Sequence, residues 1–127
     1  MKKDYLIPLA IFSAILGFAL WNSTKIQKNT ARWSEQLQQA VQLIPSENWA
    51  AIERTLQISY DSWHSAEPYL RIVLEHDPID DAVAMYRRAF AFIQAQEPKE
   101  LQAELADLQD QLGLLGETER LTLENIL

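Results

Sequence analysis

The seventeen residues from Tyr5 to Trp21, YLIPLAIFSAILGFALW, carry no charge, and they restrict what this chain can fold into more tightly than any other stretch. A helix of that length rises ~26 Å, close to the ~30 Å hydrocarbon core of a bilayer. Tyr5 and Trp21 stand at its two ends, where amphipathic rings prefer the membrane interface, and Pro8 falls in the first turn, where a missing N–H costs least. A core helix of a water-soluble domain needs a polar face, and this segment has none. The run therefore predicts a single transmembrane helix within residues 1–23. A cleaved signal peptide is the rival reading, because Lys2 and Lys3 precede the run and Gly17-Phe18-Ala19 suits cleavage after Ala19. The length of the run, which Leu20 and Trp21 continue past that site, favours a retained signal anchor. Lys25, Lys28 and Arg32 follow the span, so the count of basic flanks does not by itself orient it. A leader this short is the usual form of a signal anchor, which places residues 24–127 outside the cytoplasm at the cell membrane.

Behind the anchor the pattern is helical, with breaks marked by proline. Trp33, Leu37, Val41 and Ile44 form one apolar stripe that stops at Pro45. Ser46 is positioned to cap a second helix, whose stripe is Trp49, Ile52, Leu56, Tyr60 and Trp63 and whose end is expected before Pro68. Tyr69, Leu70, Val73 and Leu74 suggest a short helical piece up to His76. Ile79, Val83, Tyr86, Phe90 and Ile93 define a long helix, and Leu101, Leu105, Leu108, Leu112 and Leu115 the last, its end loosened by Gly113 and Gly116. Helices of this length joined by short connections describe an all-α protein, a small antiparallel bundle of about four long helices, with four Trp and four Tyr as aromatic bulk for its core. The tail Leu121–Leu127 is apolar at Leu121, Leu123, Ile126 and Leu127 and is expected to dock back on the bundle rather than fray, the alternative being a partner's groove.

Charge narrows the function classes. Beyond Trp21 there are 17 acidic against 9 basic residues, and from His76 onward 11 against 4. A surface so negative repels phosphate backbones, which argues against nucleic acid as a partner. The absence of cysteine removes disulfides, thiolate metal sites, a Cys nucleophile and a lipid-modified N-terminal Cys.

The HDPIDD element, His76 to Asp81, is the one place where an imidazole and several carboxylates cluster. A metal site there would need an uninterrupted helix to align His76 with Asp80, or Asp77 with Asp81, and Pro78 opposes that. The plainer reading makes Asp77 the N-cap, Pro78 the first helical residue, and Asp80 and Asp81 first-turn acids that complement the helix dipole. His76 then closes the preceding piece, where a cation is favoured. His64 with Glu67 is one imidazole near one carboxylate, too few ligands for a metal. Three glycines leave no material for a phosphate cradle or an oxyanion loop. No catalytic, cofactor-binding or metal-ligating residue is assigned, and no enzyme activity is expected.

Several features together resemble a known family: the Lys pair and single span, Asn48-Trp49 at a helix start, Ser62-Trp63 late in it, the His76/Ile79/Asp80 element, the Leu-rich last helix and the closing Leu-Thr-Leu-Glu-Asn-Ile-Leu. They resemble the bacterial domain-of-unknown-function family 4363, and the proline within HDPIDD departs from that family's usual pattern. The resemblance implies a short, membrane-anchored helical protein with no assigned activity. The expected role is a membrane-tethered interaction or structural module of the cell envelope, held to the lipid bilayer by its N-terminal helix and binding another membrane or envelope protein. The alternative is a tetratricopeptide-like helical-hairpin domain that binds peptides, although no 34-residue period recurs. A small-molecule carrier with a cavity among the aromatic rings is a weaker third possibility.

Overall fold

The apolar run and the first amphipathic stripe, distinct in the sequence, belong to one element. In the computed structural model, which describes the backbone of residues 3–126 and the side chains of residues 4–117, α1 runs unbroken from Lys3 to Leu43. Its 41 residues give it a length of ~62 Å. Neither Pro nor Gly occurs between Phe18 and Ile44, so nothing local interrupts the helix where it changes from apolar to amphipathic. A 3₁₀ turn, Ile44–Ser46, follows, then α2 (Trp49–Val73), α3 (His76–Gln94) and α4 (Pro98–Ile126). The fold is all-α. Each helix packs on its sequence neighbours, and α4 closes the ring against α1. Consecutive helices joined by such short connections run antiparallel, which makes an up-down-up-down bundle.

The core is a set of heptad seams. Buried positions fall at Ile26, Thr30, Trp33, Leu37 and Ala40 on α1, at Ile44 in the 3₁₀ turn that follows it, and at Ile52, Leu56, Ser59, Trp63 and Leu70 on α2. On α3 they are Ile79, Ala82, Tyr86, Ala89 and Ile93, and on α4 Leu101, Leu105, Leu108, Leu112 and Leu115. The alternation of three- and four-residue steps averages 3.5, the spacing that keeps one seam facing its neighbours when helices cross at ~20°. Large residues alternate with small ones on α3, where buried Ala82 and Ala89 flank buried Tyr86. The Trp33 and Trp63 rings meet edge to face at 5.3 Å, and the Tyr86 ring lies 6.0 Å from that of Trp63. Only these two of the four Trp and one of the four Tyr are fully buried. Val83 and Phe90, expected in the α3 stripe, are half-buried at its flank.

Several boundaries differ from expectation. α2 continues through Pro68 to Val73, so there is no separate short helix before His76. The hydrogen bond that Pro68 cannot make would have gone to the His64 carbonyl, and both residues are exposed, where a lost bond costs least. Asn48, not Ser46, caps α2, its Oδ1 accepting from the Ala51 N–H at 3.2 Å. Ser46 instead donates to the Leu43 carbonyl at 2.6 Å and so helps close the end of α1. Glu75, not Asp77, is the N-cap of α3, with extended backbone and no side-chain capping bond. Pro78 is thus the third helical residue, where its missing N–H is still one of the four orphans of a helix start. Pro98 opens α4, where its missing N–H is an orphan of the helix start. Gly113 and Gly116 lie inside α4, which continues to Ile126 rather than ending there. The expected docking of Leu121, Leu123, Ile126 and Leu127 concerns side chains outside the described residues.

Gly116 has a packing role. A Cβ at this position would lie 2.9 Å from Thr30 Oγ1, so its lack of a side chain lets α4 approach α1 closely, whereas Gly113 faces open space. The register of that pair is also held by Gln109, whose Nε2 donates to the Ser34 carbonyl at 3.2 Å and to Gln38 Oε1 at 3.1 Å. Across the other side of α4, Gln111 Nε2 donates to the Pro78 carbonyl at 2.9 Å. Arg88 Nε donates to the carboxylate of Glu104, a charge that is otherwise almost buried between α3 and α4.

Candidate functional site

The end of the bundle from which the apolar half of α1 emerges gathers most of the charged residues singled out in the sequence. Trp33 on α1 lies against Trp63 on α2, so antiparallel pairing puts Tyr69 to Leu74 level with Lys25 to Trp21. The tight turn at Leu74 and Glu75 then brings the start of α3 to the same end.

There, His64/Glu67 and HDPIDD, separate in the sequence, join through Arg71. Its Nη2 donates to Glu67 Oε1 at 2.9 Å and to Asp80 Oδ1 at 2.8 Å. Its Nη1 lies 3.4 Å from His76 Nδ1, which must be the acceptor because a guanidinium can only donate. Glu67 Oε2 in turn meets His64 Nδ1 at 3.2 Å, and the His64 ring stacks on Tyr60 at 5.5 Å. The two carboxylates raise the Arg71 pKa above its ordinary value, first through the hydrogen bond to Asp80 and then through that to Glu67. The carboxylates of Glu67 and Asp80 are thus turned onto a guanidinium, and the network ties the last turn of α2 to the first turn of α3. Asp77 lies in the first turn of α3, where an acid complements the helix dipole. Among the described residues, no group of three or more His, Cys, Asp or Glu side chains is placed to hold a metal ion. Arg71, the centre of the network, was not singled out in the sequence. Its partners are four to nine positions away and meet it only once the α2–α3 turn is fixed.

On α1 itself, Lys25 Nζ sits 5.2 Å from the Trp21 ring centroid and 4.5 Å from that of Tyr69. Both lie within the range of a cation–π contact. Lys28 and Arg32 continue the same face, with Arg32 donating to Asn29 Oδ1 at 3.1 Å and to Ser62 Oγ at 3.3 Å. Beyond this end, from Asp4 to Trp21, no residue of α1 is buried, and the most apolar eighteen-residue window is only 11% buried. The helix is long and apolar enough to cross a membrane.

Further up the bundle, Gln57, Tyr60, Val83, Arg87 and Phe90 line an open groove of about 310 Å³ between α2 and α3. Beneath it, the Tyr86 hydroxyl and Ser59 Oγ share a buried hydrogen bond of 2.8 Å. The ring closed by α1 and α4 is not the concave stack of hairpins that a tetratricopeptide array would present.

The chain belongs to the family described as Domain of unknown function (DUF4363), whose model matches residues 20–126. The match begins at Leu20, so it covers the bundle and leaves out most of the apolar run. No curated protein and no solved structure matches the chain.

Proposed function

We propose that this member of the family is a non-catalytic, membrane-tethered interaction or structural module of the bacterial cell envelope. In this reading residues 1–23 anchor it in the bilayer, and the bundle presents its surface to another membrane or envelope protein on the extracytoplasmic side. The observation that carries the proposal is the exposed apolar half of α1: ten large apolar side chains from Tyr5 to Trp21 stand free of protein cover on a helix continuous with the bundle. A monomer rarely exposes that much contiguous apolar surface to water, and a bilayer is the solvent that suits a helix apolar on every side. Continuity matters as well, since an unbroken helix couples the bundle's position to the membrane more rigidly than a linker does. The acidic C-terminal half favours a partner with a basic face.

Full-length protein should stay in the membrane fraction after alkaline carbonate washing, and deleting residues 1–23 should release a helical domain. A membrane-impermeant maleimide applied to intact cells should label a cysteine introduced at exposed Ile58. Recovery of protein cut after Ala19 and free in the medium would overturn the anchor.

A further inference from the structure

The arrangement of charge around α1 carries a second conclusion, which rests on the membrane reading above. At ~100° per residue, Trp21, Lys25, Lys28 and Arg32 fall within an arc of roughly 60° on one face of α1. Ile26, Thr30, Trp33 and Leu37, which are buried, lie on a separate face centred about 140° away. The basic stripe therefore lies outside the core, along the solvent-exposed edge of α1 next to α2, where Lys25 reaches Tyr69 and Arg32 reaches Ser62. Its depth follows from the helix rise: Asp4 to Thr24 spans ~30 Å, the thickness of the hydrocarbon core, which puts Lys25 at its edge and Lys28 ~5 Å further out, within the headgroup layer. Trp21 and Tyr69, the rings that bracket the Lys25 ammonium, are the side-chain types that settle at this depth. Ile72, 83% exposed in the last turn of α2, lies level with them and adds an apolar contact for the same layer.

The charge at this end is polarised. Glu75 and Asp77 are exposed at the start of α3, the helix diagonal to α1 in the ring, and Asp80 is taken up by Arg71. Anionic groups are thus repelled at the α3 corner and attracted along α1. An open depression lined by Trp21, Thr24, Lys25, Lys28, Asn29 and Arg32 runs along that face. We propose that this stripe, principally Lys25 and Lys28, binds the phosphates of anionic phospholipids in the bilayer that α1 crosses and so fixes the depth and rotation of the bundle against the membrane surface. Each Lys or Arg held near an anionic surface contributes attraction of the size that shifts an equilibrium roughly fivefold, and only within a Debye length.

The test uses full-length protein reconstituted in phosphatidylcholine vesicles with trace spin-labelled phosphatidylglycerol or spin-labelled phosphatidylcholine. Electron spin resonance reads the fraction of each label held at the protein. The expected result is a several-fold preference for phosphatidylglycerol, lost at ~1 M salt, where the Debye length shrinks to about 3 Å. The preference should be lost in Lys25→Gln/Lys28→Gln and kept in Lys25→Arg/Lys28→Arg. The salt arm needs no variant, so misfolding of the double glutamine variant does not blunt the test. Equal retention of both labels by wild-type protein that floats with the vesicles would overturn the lipid site and leave the anchor standing. So would a preference that survives both high salt and the glutamine pair. Failure to float would overturn both readings.

Discussion

Replacing Gly113 and Gly116 by alanine, one at a time, separates helix propensity from packing at two sites three residues apart in α4. In a helix interior Gly→Ala gains up to about 1 kcal/mol of intrinsic propensity. Gly113 is exposed and a Cβ there meets nothing within 4 Å, so Gly113→Ala should be stabilising by about that amount. At Gly116 the same gain is opposed by a contact of 2.9 Å with Thr30 Oγ1. That oxygen cannot swing aside freely, because it donates to the Gln27 carbonyl at 3.0 Å and belongs to a β-branched side chain with few rotamers. Forcing an extra carbon into a packed interface costs ~1–3 kcal/mol, so Gly116→Ala should be less stable than Gly113→Ala by that difference. In a bundle of this size the gap corresponds to roughly 4 °C or more in the melting midpoint for each kcal/mol. Thermal unfolding of the detergent-solubilised chain, followed by far-UV circular dichroism, reads it directly. Thr30→Ala should restore the stability of Gly116→Ala by more than it changes that of the wild type, because the obstructing oxygen is then gone. If Gly116→Ala melts at or above Gly113→Ala, α4 does not approach α1 closely enough at Thr30 for a Cβ to be excluded.

Four further outcomes follow. Asn48→Ala should cost about 1 kcal/mol by removing the cap of α2, and Ser46→Ala less, as chemical denaturation of the two variants will show. Gln96 occupies the left-handed C′ position (φ 55°) of a Schellman closure, with Glu97 N–H donating to the Phe92 carbonyl and Gln96 N–H to that of Ile93. Gln96→Gly should therefore be stabilising by up to about 1 kcal/mol, read as a higher denaturation midpoint. Burial holds the Tyr86 hydroxyl above its ordinary value of 10.0, against the opposing pull of the Ser59 hydrogen bond. The folded state thus resists its ionisation: the stability tied to the neutral phenol is intact below pH ~10 and declines as pH rises further. Tyr86→Phe should cost about 1 kcal/mol at pH 7, where Ser59 loses its partner, but reduce the alkaline decline in paired urea melts at pH 7 and 11. Arg88→Ala should cost about 1–2 kcal/mol in the same assay by stranding the nearly buried Glu104 carboxylate, less than a fully buried pair because Arg88 is half in solvent.

The helices were legible in the sequence wherever bulky apolar residues marked the seam. The spacing of Leu101, Leu105, Leu108, Leu112 and Leu115 puts them on one face, and all five are buried. On α3 the apolar periodicity points to Val83 and Phe90, whereas the structure buries Ala82 and Ala89. Alanine gives no hydropathy signal strong enough to outbid a neighbouring Val or Phe, yet a seam that must admit Trp63 and Tyr86 needs small residues between its large ones. Pro68 misled for a related reason. A proline ends a helix only where the lost bond cannot be tolerated, and its solvent-facing position on α2 is a tertiary fact that the local sequence does not state. The charged end of the bundle was the least legible part. Arg71 meets Asp80 only across a turn, and Lys25 meets Tyr69 from 44 positions away. Periodicity finds the residues that water rejects, and these are residues that water accepts; their meaning lies in where the bundle holds them. That distinction also explains why the fold could be read so much further than the function: the same seam would support bundles of many functions, whereas function rests on surface residues such as Lys25 and Arg71, whose surroundings only the assembled bundle fixes.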